Sequence, residues 1–231
     1  MKITSNLSAI QNAGTSQSVA ANNVANVNSD AFKSRAMTQY GLQNLVSRTD
    51  GGQGSLVFRG TELSVAVNGR GYLPVQLPNG ETGYSRSVAL SVDKKGSLTD
   101  NKGNPVLPNI NLPVPVSGVS VDSQGMVSAL DASGQRQDVG QLQLAVFPNP
   151  EGLQQAGDGV QLASQASGEP MLNTPGNGEA GSLAFGATEQ SNVNPGNEMV
   201  TMIVNQTAMA YNVKAMQVQE QMFQSTLNIK A

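Results

Sequence analysis

Few side chains in this chain could do chemistry, because its 231 residues include no histidine and no cysteine. That composition excludes imidazole- and thiol-dependent catalysis, Cys or His metal sites, and disulfides. Carboxylates remain, and Glu62 with Glu81 is the type of pair that a glycosidase uses to cut a polysaccharide. No sequence feature groups two acids in a cleft. We therefore predict no catalytic residue and no enzyme activity.

Two other motifs have a chemical and a structural interpretation. The Gly-Arg-Gly segment at 69–71 is too short for a phosphate loop, and no helical pattern follows it, which favours a turn. The Asp-to-Gly segments 93–96, 100–103 and 122–125 lack the ligand spacing of a calcium loop. Asp and Gly are also what β-turns require. We predict no metal site and no cofactor.

At the C-terminus, apolar residues at alternating spacings of three and four predict a long amphipathic helix. These residues are Met199, Met202, Met209, Val213, Met216, Phe223 and Leu227, interrupted by Gln206 and Glu220. Asn194 is a good N-cap, Pro195 suits the first helical position, and no Gly or Pro follows Asn197. Roughly 30 residues at about 1.5 Å each make such a helix longer than a small domain is wide.

A thinner stripe predicts a second helix at the N-terminus. Its positions are Ile3, Leu7, Ile10, Gly14, Gln17, Ala21 and Val24. The two helices can cover their stripes against each other or against other copies of the chain, and each could also be an ordinary helix packed on its own domain. The candidate intersubunit seam comprises Ile3, Leu7, Ile10, Val24, Phe32 and the seven apolar C-terminal positions.

Between the helices the hydrophobic period changes to two, which is typical of strands. Alternating runs at 63–67 and 72–77, with a Pro-Asn-Gly turn at 78–80, predict a hairpin, and the Asp-to-Gly segments predict further turns. The segment from 30 to 56 could continue the first helix or form a packed loop.

The predicted fold class is α+β: the long terminal helices pair as a coiled-coil-like inner domain, and the middle of the chain forms a central all-β domain of short antiparallel strands. The predicted parts are an N-terminal helix at 1–30, a connecting segment partly ordered on assembly at 31–61, the β domain at 62–163, an extended Gly/Pro-rich return segment at 164–190, and the C-terminal helix at 191–231.

Composition limits the possible partners. Charged residues make up 13 % of the chain and the net charge is −3, so no basic stripe is available for nucleic acid. No run of about 18 apolar residues is present, which argues against a membrane span. The first residues lead into a polar amphipathic segment and not into the apolar run of a secretory signal. The pattern is typical of an assembly subunit.

Several segments resemble the bacterial flagellar rod and hook protein family. Residues 21–28 (ANNVANVN) with 31–33 (AFK) are similar to its N-terminal signature, and residues 191–203 are similar to its C-terminal one. The signature residues are Ala21, Asn22, Asn23, Ala25, Asn26, Ser191, Asn192 and Asn194. Central segments that resemble the family are 63–72, 84–86 and 93–98. Two departures are Ala31, where the family usually has glycine, and residues 87–90, which replace a Gly-containing segment.

Residues 139–147, 152–153 and 174–176 are most similar to subunits of the distal rod, and the chain has no room for the extra domain of hook subunits. The resemblance implies a structural subunit that leaves the cytoplasm by flagellar type III export, without a cleaved signal. It would polymerise into the rod of the basal body, a helical tube that crosses the periplasm, transmits torque from motor to hook and forms part of the export channel.

The implied partners are further copies of the chain, adjacent rod and hook subunits, the rod cap, the export apparatus and surrounding ring proteins. Nucleic acid and membrane insertion are not expected. One alternative is a proximal rod or hook-type subunit. Another is a secreted β-rich binding module that its helices oligomerise.

Overall fold

The computed structural model describes residues 3–40, 44–58, 63–113, 115–131, 134–157 and 159–229. The chain divides into two compact units, each described by itself below. The helical unit comprises Met1–Val27, Ser34–Asp50 and Val193–Ala231. The β unit comprises Asn28–Lys33 and Gly51–Asn192.

Both predicted terminal helices are present. Helix α1 spans Ile3–Ala25 and helix α2 spans Pro195–Ile229. The predicted cap of α2 is confirmed, since Asn194 Oδ1 accepts a hydrogen bond from the Asn197 N–H at 3.2 Å. Helix α1 ends at Ala25, five residues before the predicted bound at 30. At this end the Asn26 side chain donates a hydrogen bond to the Asn22 carbonyl at 2.9 Å.

The two helices of the helical unit run antiparallel. Asn23 in α1 hydrogen-bonds Glu198 in α2, and seven residues earlier in α1, Ser16 accepts from Asn205, which lies seven residues later in α2. By that register Ile3 lies level with Val218, and α2 continues to Ile229. The last three turns of α2 therefore extend past the described part of α1.

Between the helices, the helical unit also contains a hairpin. Strand β1, Arg35–Tyr40, pairs with strand β2, Asn44–Thr49. The alternative that α1 continues through this segment is therefore wrong. Thr38, Val46 and Thr49 are β-branched residues, which favour a strand.

The β unit is built from short strands that all pair antiparallel. They are β3 Leu56–Phe58, β4 Ser64–Asn68, β5 Leu73–Gln76, β6 Thr82–Ser85, β7 Ser87–Val92, β8 Leu98–Asp100, β9 Gly118–Val121, β10 Met126–Leu130, β11 Arg136–Gln141, β12 Leu144–Val146, β13 Gln154–Gly157, β14 Val160–Leu162, β15 Met171–Asn173, β16 Ser182–Phe185 and β17 Ala187–Glu189.

The sheets contain both local hairpins and pairs of strands that are far apart in the sequence. The turn at 78–80 closes the hairpin between β5 and β6, as predicted. The earlier alternating run, β4, pairs instead with β7 and with β16, more than a hundred residues away. The two four-stranded sheets have the orders β16-β4-β7-β8 and β13-β14-β6-β5. The segment predicted as an extended return path thus supplies β15, β16 and β17.

The core of the β unit is aliphatic. Val65 and Val67 of β4, Leu73 of β5 and Leu142 and Leu144 at β12 are fully buried together. The Asp-to-Gly segments form turns, as predicted. In each, an Asp oxygen accepts two backbone N–H groups, as Asp122 Oδ1 does from Gln124 and Met126 at 2.9 and 2.8 Å. These carboxylates act as turn formers.

Ala31 is buried in the left-handed region, with φ of 57°. An L-residue is strained there, whereas glycine is not. This explains why the related family usually has glycine at the position.

We expect Ala31→Gly to raise the free energy of unfolding by roughly 0.5–1 kcal/mol, measured by urea denaturation. Ala129→Gly, at a buried alanine inside strand β10, is the control and should destabilise; destabilisation by both would contradict the strain argument.

Candidate functional site

The face of α2 that packs on α1 carries a seven-residue repeat of methionine and amides. Met202, Met209 and Met216 are half-buried on this face, and Asn205 and Asn212 alternate with them. Asn205 Nδ2 donates to Ser16 Oγ of α1 at 3.0 Å, while Asn212 Nδ2 donates to the Ala208 carbonyl of its own helix at 2.8 Å. The contact between the helices is therefore partly apolar and partly amide.

The predicted C-terminal seam residues fall into two groups. Met202, Met209 and Met216 lie on the face toward α1, and the other four, Met199, Val213, Phe223 and Leu227, are exposed. Phe223 and Leu227 lie on the same side of α2 as the three methionines but past the described part of α1, whereas Met199 and Val213 lie toward the edge of the covered face. The role of the predicted seam between subunits stays a prediction.

On α1 the buried row is displaced from the predicted stripe. Asn6, Ala13 and Ala20, seven residues apart, are buried, whereas Leu7 is exposed. Ile10 and Val24 are half-buried, and Ile3 begins the helix with a side chain outside the described residues. Phe32 lies in the β unit, where it is buried and its carbonyl accepts from the Asn192 N–H at 3.3 Å.

Asn23 connects three segments of the helical unit. Its side-chain amide pairs with the backbone of Arg35, donating to the carbonyl at 2.8 Å and accepting from the N–H at 3.0 Å. The same Nδ2 donates to Glu198 Oε1 in the first turn of α2 at 2.9 Å. Because Asn23 is fully buried, these bonds form away from water. They fix the end of α1, the start of β1 and the start of α2 together.

The other signature residues have local structural roles or lie at the surface. Asn26 caps α1 through the Asn22 carbonyl, and Asn194 caps α2. Asn192 Nδ2 donates to the Gly52 carbonyl at 3.0 Å within the β unit, next to the half-buried Ser191. Ala21 and Ala25 are exposed on α1.

A buried cluster of three ionised side chains lies in the β unit. Glu189 accepts from Lys33 Nζ at one carboxylate oxygen and from Arg86 Nε at the other, the latter at 2.7 Å. All three residues are at most 4 % exposed. The Gly54 N–H also donates to Glu189, at 2.8 Å. The cluster therefore joins four stretches of the chain that are far apart in sequence.

The two cations of the cluster also satisfy backbone carbonyls. Lys33 Nζ donates to Gly52 at 2.6 Å, and the Arg86 guanidinium donates to Gly71 and Val67 at 3.0 and 3.1 Å. The Arg86 Cζ atom lies 5.7 Å from the centroid of the Tyr72 ring. Burial raises the pKa of the Tyr72 hydroxyl, partly offset by Arg86, so the ring stays neutral beside the cation.

The described residues beside the cluster enclose only a small cavity. A cavity of about 70 Å³ beside Arg86, Tyr72 and Phe147 is well below the roughly 300–1,000 Å³ of ligand pockets. Glu81 is exposed and accepts from the Asn79 side chain, and Glu62 lies outside the described residues. Among the described residues no group of acids could hold a metal ion.

Comparison with known proteins finds matches in the central and the C-terminal parts of the chain. A family model described as "Flagellar hook protein FlgE/F/G D1 domain" matches residues 66–129, and one described as "Flagellar basal body rod FlgEFG protein C-terminal" matches residues 185–229. Flagellar basal-body rod protein FlgG of Buchnera aphidicola subsp. Schizaphis graminum is 35 % identical over 236 residues, covering 89 % of this chain and 90 % of the relative. The chain belongs to the flagellar basal-body rod and hook protein family.

Within the rod and hook family the match to rod proteins is the more complete. FlgG of Bacillus subtilis is 30 % identical over 261 residues, covering 98 % of this chain and 97 % of the relative. Flagellar hook protein FlgE of Salmonella typhimurium is 35 % identical over 160 residues, but only 40 % of its length is covered. The likeness therefore runs through a whole rod protein and through part of a hook protein.

Lys33, Tyr72 and Arg86 belong to three separate segments that resemble the family. The structure brings Lys33 and Arg86 together at Glu189, with the Tyr72 ring beside Arg86. The sequence analysis missed Glu189 itself. The signal that could have found it is an acidic residue inside an apolar alternating segment, 183–189, just before the C-terminal signature. In the described part of this family member, no helix is both long and apolar enough to cross a membrane.

Proposed function

We propose that this chain is a structural subunit of the flagellar rod, of the distal-rod type, that polymerises into a helical tube. The observation that carries the proposal is a nearly uncharged pair of long helices with much apolar surface uncovered, in a chain aligned with FlgG proteins over nearly its whole length. A large exposed apolar surface is unfavourable for a protein that stays monomeric, and it is expected where subunits contact each other.

In the proposed assembly, α1 and α2 pair as a coiled-coil-like inner domain that lines the export channel. The tube transmits torque from motor to hook. Its partners are further copies of the chain, the adjacent rod and hook subunits, the rod cap and export apparatus that deliver it, and the surrounding ring proteins. We place it in the basal body, crossing the periplasm, exported without a cleaved signal.

The proposed role is structural and not enzymatic. Rigidity under torque is what the rod requires, and the buried cluster at Glu189 supports this by cross-linking four stretches of the β unit. A hook-type subunit is the weaker alternative, because the alignment covers only part of the hook relative.

The test is to delete residues 198–231 in the source bacterium and to image purified basal bodies by electron microscopy. We expect rods that stop short and carry no hook, because most of α2 is removed. The length at which they stop distinguishes a distal from a proximal subunit. Full-length chain supplied from a plasmid must restore hooks. Intact rods and hooks with normal swimming in the deletion strain would reject the proposal.

A further inference from the structure

Helix α2 has a second apolar stripe on the side away from α1. Its members recur at spacings of four and seven residues and are Val200, Val204, Tyr211, Val218 and Met222, which we call the outer stripe. At roughly 100° per residue they lie within about 40° of one another around the helix axis. The outer stripe lies about a third of a turn from the centre of the face toward α1.

The outer stripe is open to solvent in the single chain. Its five side chains are between 50 and 72 % exposed, with Tyr211 the most exposed. Their exposed surface is on the order of 500 Å², more than half of the ~800 Å² that each partner buries in a standard protein interface. The stripe also continues into the end of α2 that extends past the described part of α1. A surface of this size and continuity is sufficient for a specific contact.

Charge restricts what can cover the outer stripe. Helix α2 carries only three charged residues: Glu198 is bound to Asn23, Lys214 lies beside the outer stripe, and Glu220 lies on the opposite side of the helix. Helix α1 carries no charged residue at all. A partner surface that is itself uncharged avoids the cost of leaving a charge desolvated and unpaired. The face of α1 that points away from α2 meets this condition.

That face of α1 also has a matching repeat. Leu7, Gly14 and Ala21 follow one another at seven-residue spacing. Leu7 and Ala21 are exposed, and a Cβ built at Gly14 meets no atom within 4 Å. The row is therefore open and shallow at Gly14 and Ala21, next to the larger Leu7, and we call it the groove. Bulky side chains such as Tyr211 and Val218, which also recur every seven residues, can fit such a groove.

Symmetry decides between a contact of the stripe with itself and a contact with another surface. If the outer stripes of two copies met each other, the contact would be isologous and would close as a dimer. An open helical tube instead requires a heterologous contact, in which the stripe of one copy meets a different surface of the next. This step rests on the proposed function.

We propose that the outer stripe of α2 docks on the Leu7–Gly14–Ala21 face of α1 in a second copy of this chain. Each subunit then offers one stripe and one groove, and the contact propagates along the tube. The stripe and groove are separate from the Met202–Met209–Met216 face that holds α1 and α2 of the same chain together.

Disulfide trapping in cells tests this contact, because the chain contains no cysteine that could interfere. Gly14→Cys is combined in turn with Val204→Cys, Tyr211→Cys and Val218→Cys, and oxidised basal bodies are run on non-reducing gels. We expect at least one pair to give a ladder of covalent oligomers. Gln217→Cys, exposed but off the stripe, is the matched control with Gly14→Cys and should give at least tenfold less oligomer.

Three further variants, one of them with its own control, complete the test. Ser16→Cys with Asn205→Cys should give an internal disulfide in the monomer band, since the two native side chains lie 3.0 Å apart. Tyr211→Cys alone should give no dimer; a strong dimer would mean that two stripes meet each other and would overturn the proposal. Val204→Asp places a charge on the outer stripe and should block rod assembly, whereas the control Gln206→Asp, off the stripe, should not. Normal rods from Val204→Asp would also overturn the proposal.

These experiments distinguish a wrong docking surface from a wrong assignment to the rod. If the chain is recovered in basal bodies and the internal disulfide forms, but none of the three pairs exceeds the Gln217 control, the docking surface is wrong and the rod assignment stands. If even the wild-type chain is missing from basal bodies that carry complete rods, both proposals fail.

Discussion

Replacing Glu189 by glutamine is expected to lower the free energy of unfolding of the β unit by about 3–5 kcal/mol. The amide keeps the size of the side chain and removes its charge. Lys33 and Arg86 then remain buried as two cations without their shared anion, and the amide NH₂ group cannot accept their hydrogen bonds. Urea unfolding followed by tyrosine fluorescence measures the loss in a background where Tyr40 and Tyr211 of the helical unit are replaced by Phe, because Tyr72 and Tyr84 both lie in the β unit.

The chain offers a matched control for this substitution. Glu179 pairs with Arg70 at 3.0 Å in the same unit, but the two side chains are 65 and 58 % exposed. Exposed ion pairs contribute at most about 1 kcal/mol, so Glu179→Gln should have little effect. A similar small loss for both variants would contradict the view that the cluster at Glu189 stabilises the β unit.

The cluster is also a demanding arrangement to replace with apolar residues. Buried ion pairs can often be exchanged for hydrophobic side chains of similar volume without loss. Here, however, the three side chains also satisfy the carbonyls of Gly52, Gly71 and Val67 and the N–H of Gly54. Apolar replacements would leave these backbone groups without those partners, which is costly when they are buried.

The sequence predicted features that depend on neighbouring residues. The start of α2 follows from Asn194 and Pro195, and the turns follow from Asp and Gly at fixed offsets, because these residues act through local hydrogen bonds and backbone preferences. The hairpin turn at 78–80 belongs to the same class. Such features need no knowledge of the rest of the fold.

What the sequence did not predict depends on distant partners. Strand β4 pairs with β16 because the whole sheet assembles around the buried Val65 and Val67, and no local pattern names that partner. Glu189 was missed for the same reason, since its three partners come from other segments. The outer stripe of α2 was missed because the apolar positions were assigned to one seam, whereas the helix carries two.

The second large effect is expected from Asn23→Asp in the helical unit. A carboxylate cannot donate hydrogen bonds, so the variant loses its bonds to the Arg35 carbonyl and to Glu198. It also places a second negative charge beside Glu198 at a fully buried position. We expect the free energy of unfolding of this unit to fall by about 3 kcal/mol or more, measured by urea denaturation followed by circular dichroism at a helical wavelength.

Asn22→Asp is the matched control for this effect, because Asn22 is the adjacent residue, of the same type, and exposed. An acidic residue near the C-terminus of α1 costs about 0.3–1 kcal/mol through the helix dipole, which sets the size of the control effect. Equal losses at both positions would mean that the dipole, and not the buried contacts of Asn23, accounts for the result.

A double variant tests whether the Asn23–Glu198 contact itself carries the effect. In Asn23→Asp/Glu198→Gln the amide at 198 can donate to the new carboxylate, so donor and acceptor are exchanged and the like charges are removed. We expect the double variant to recover at least about 1 kcal/mol relative to Asn23→Asp alone, a coupling of the size found for residues in contact. Additive losses would show that the two side chains act independently. The alignment of α1 with α2 would then have to depend on the Ser16–Asn205 hydrogen bond and on the packing of Met202, Met209 and Met216.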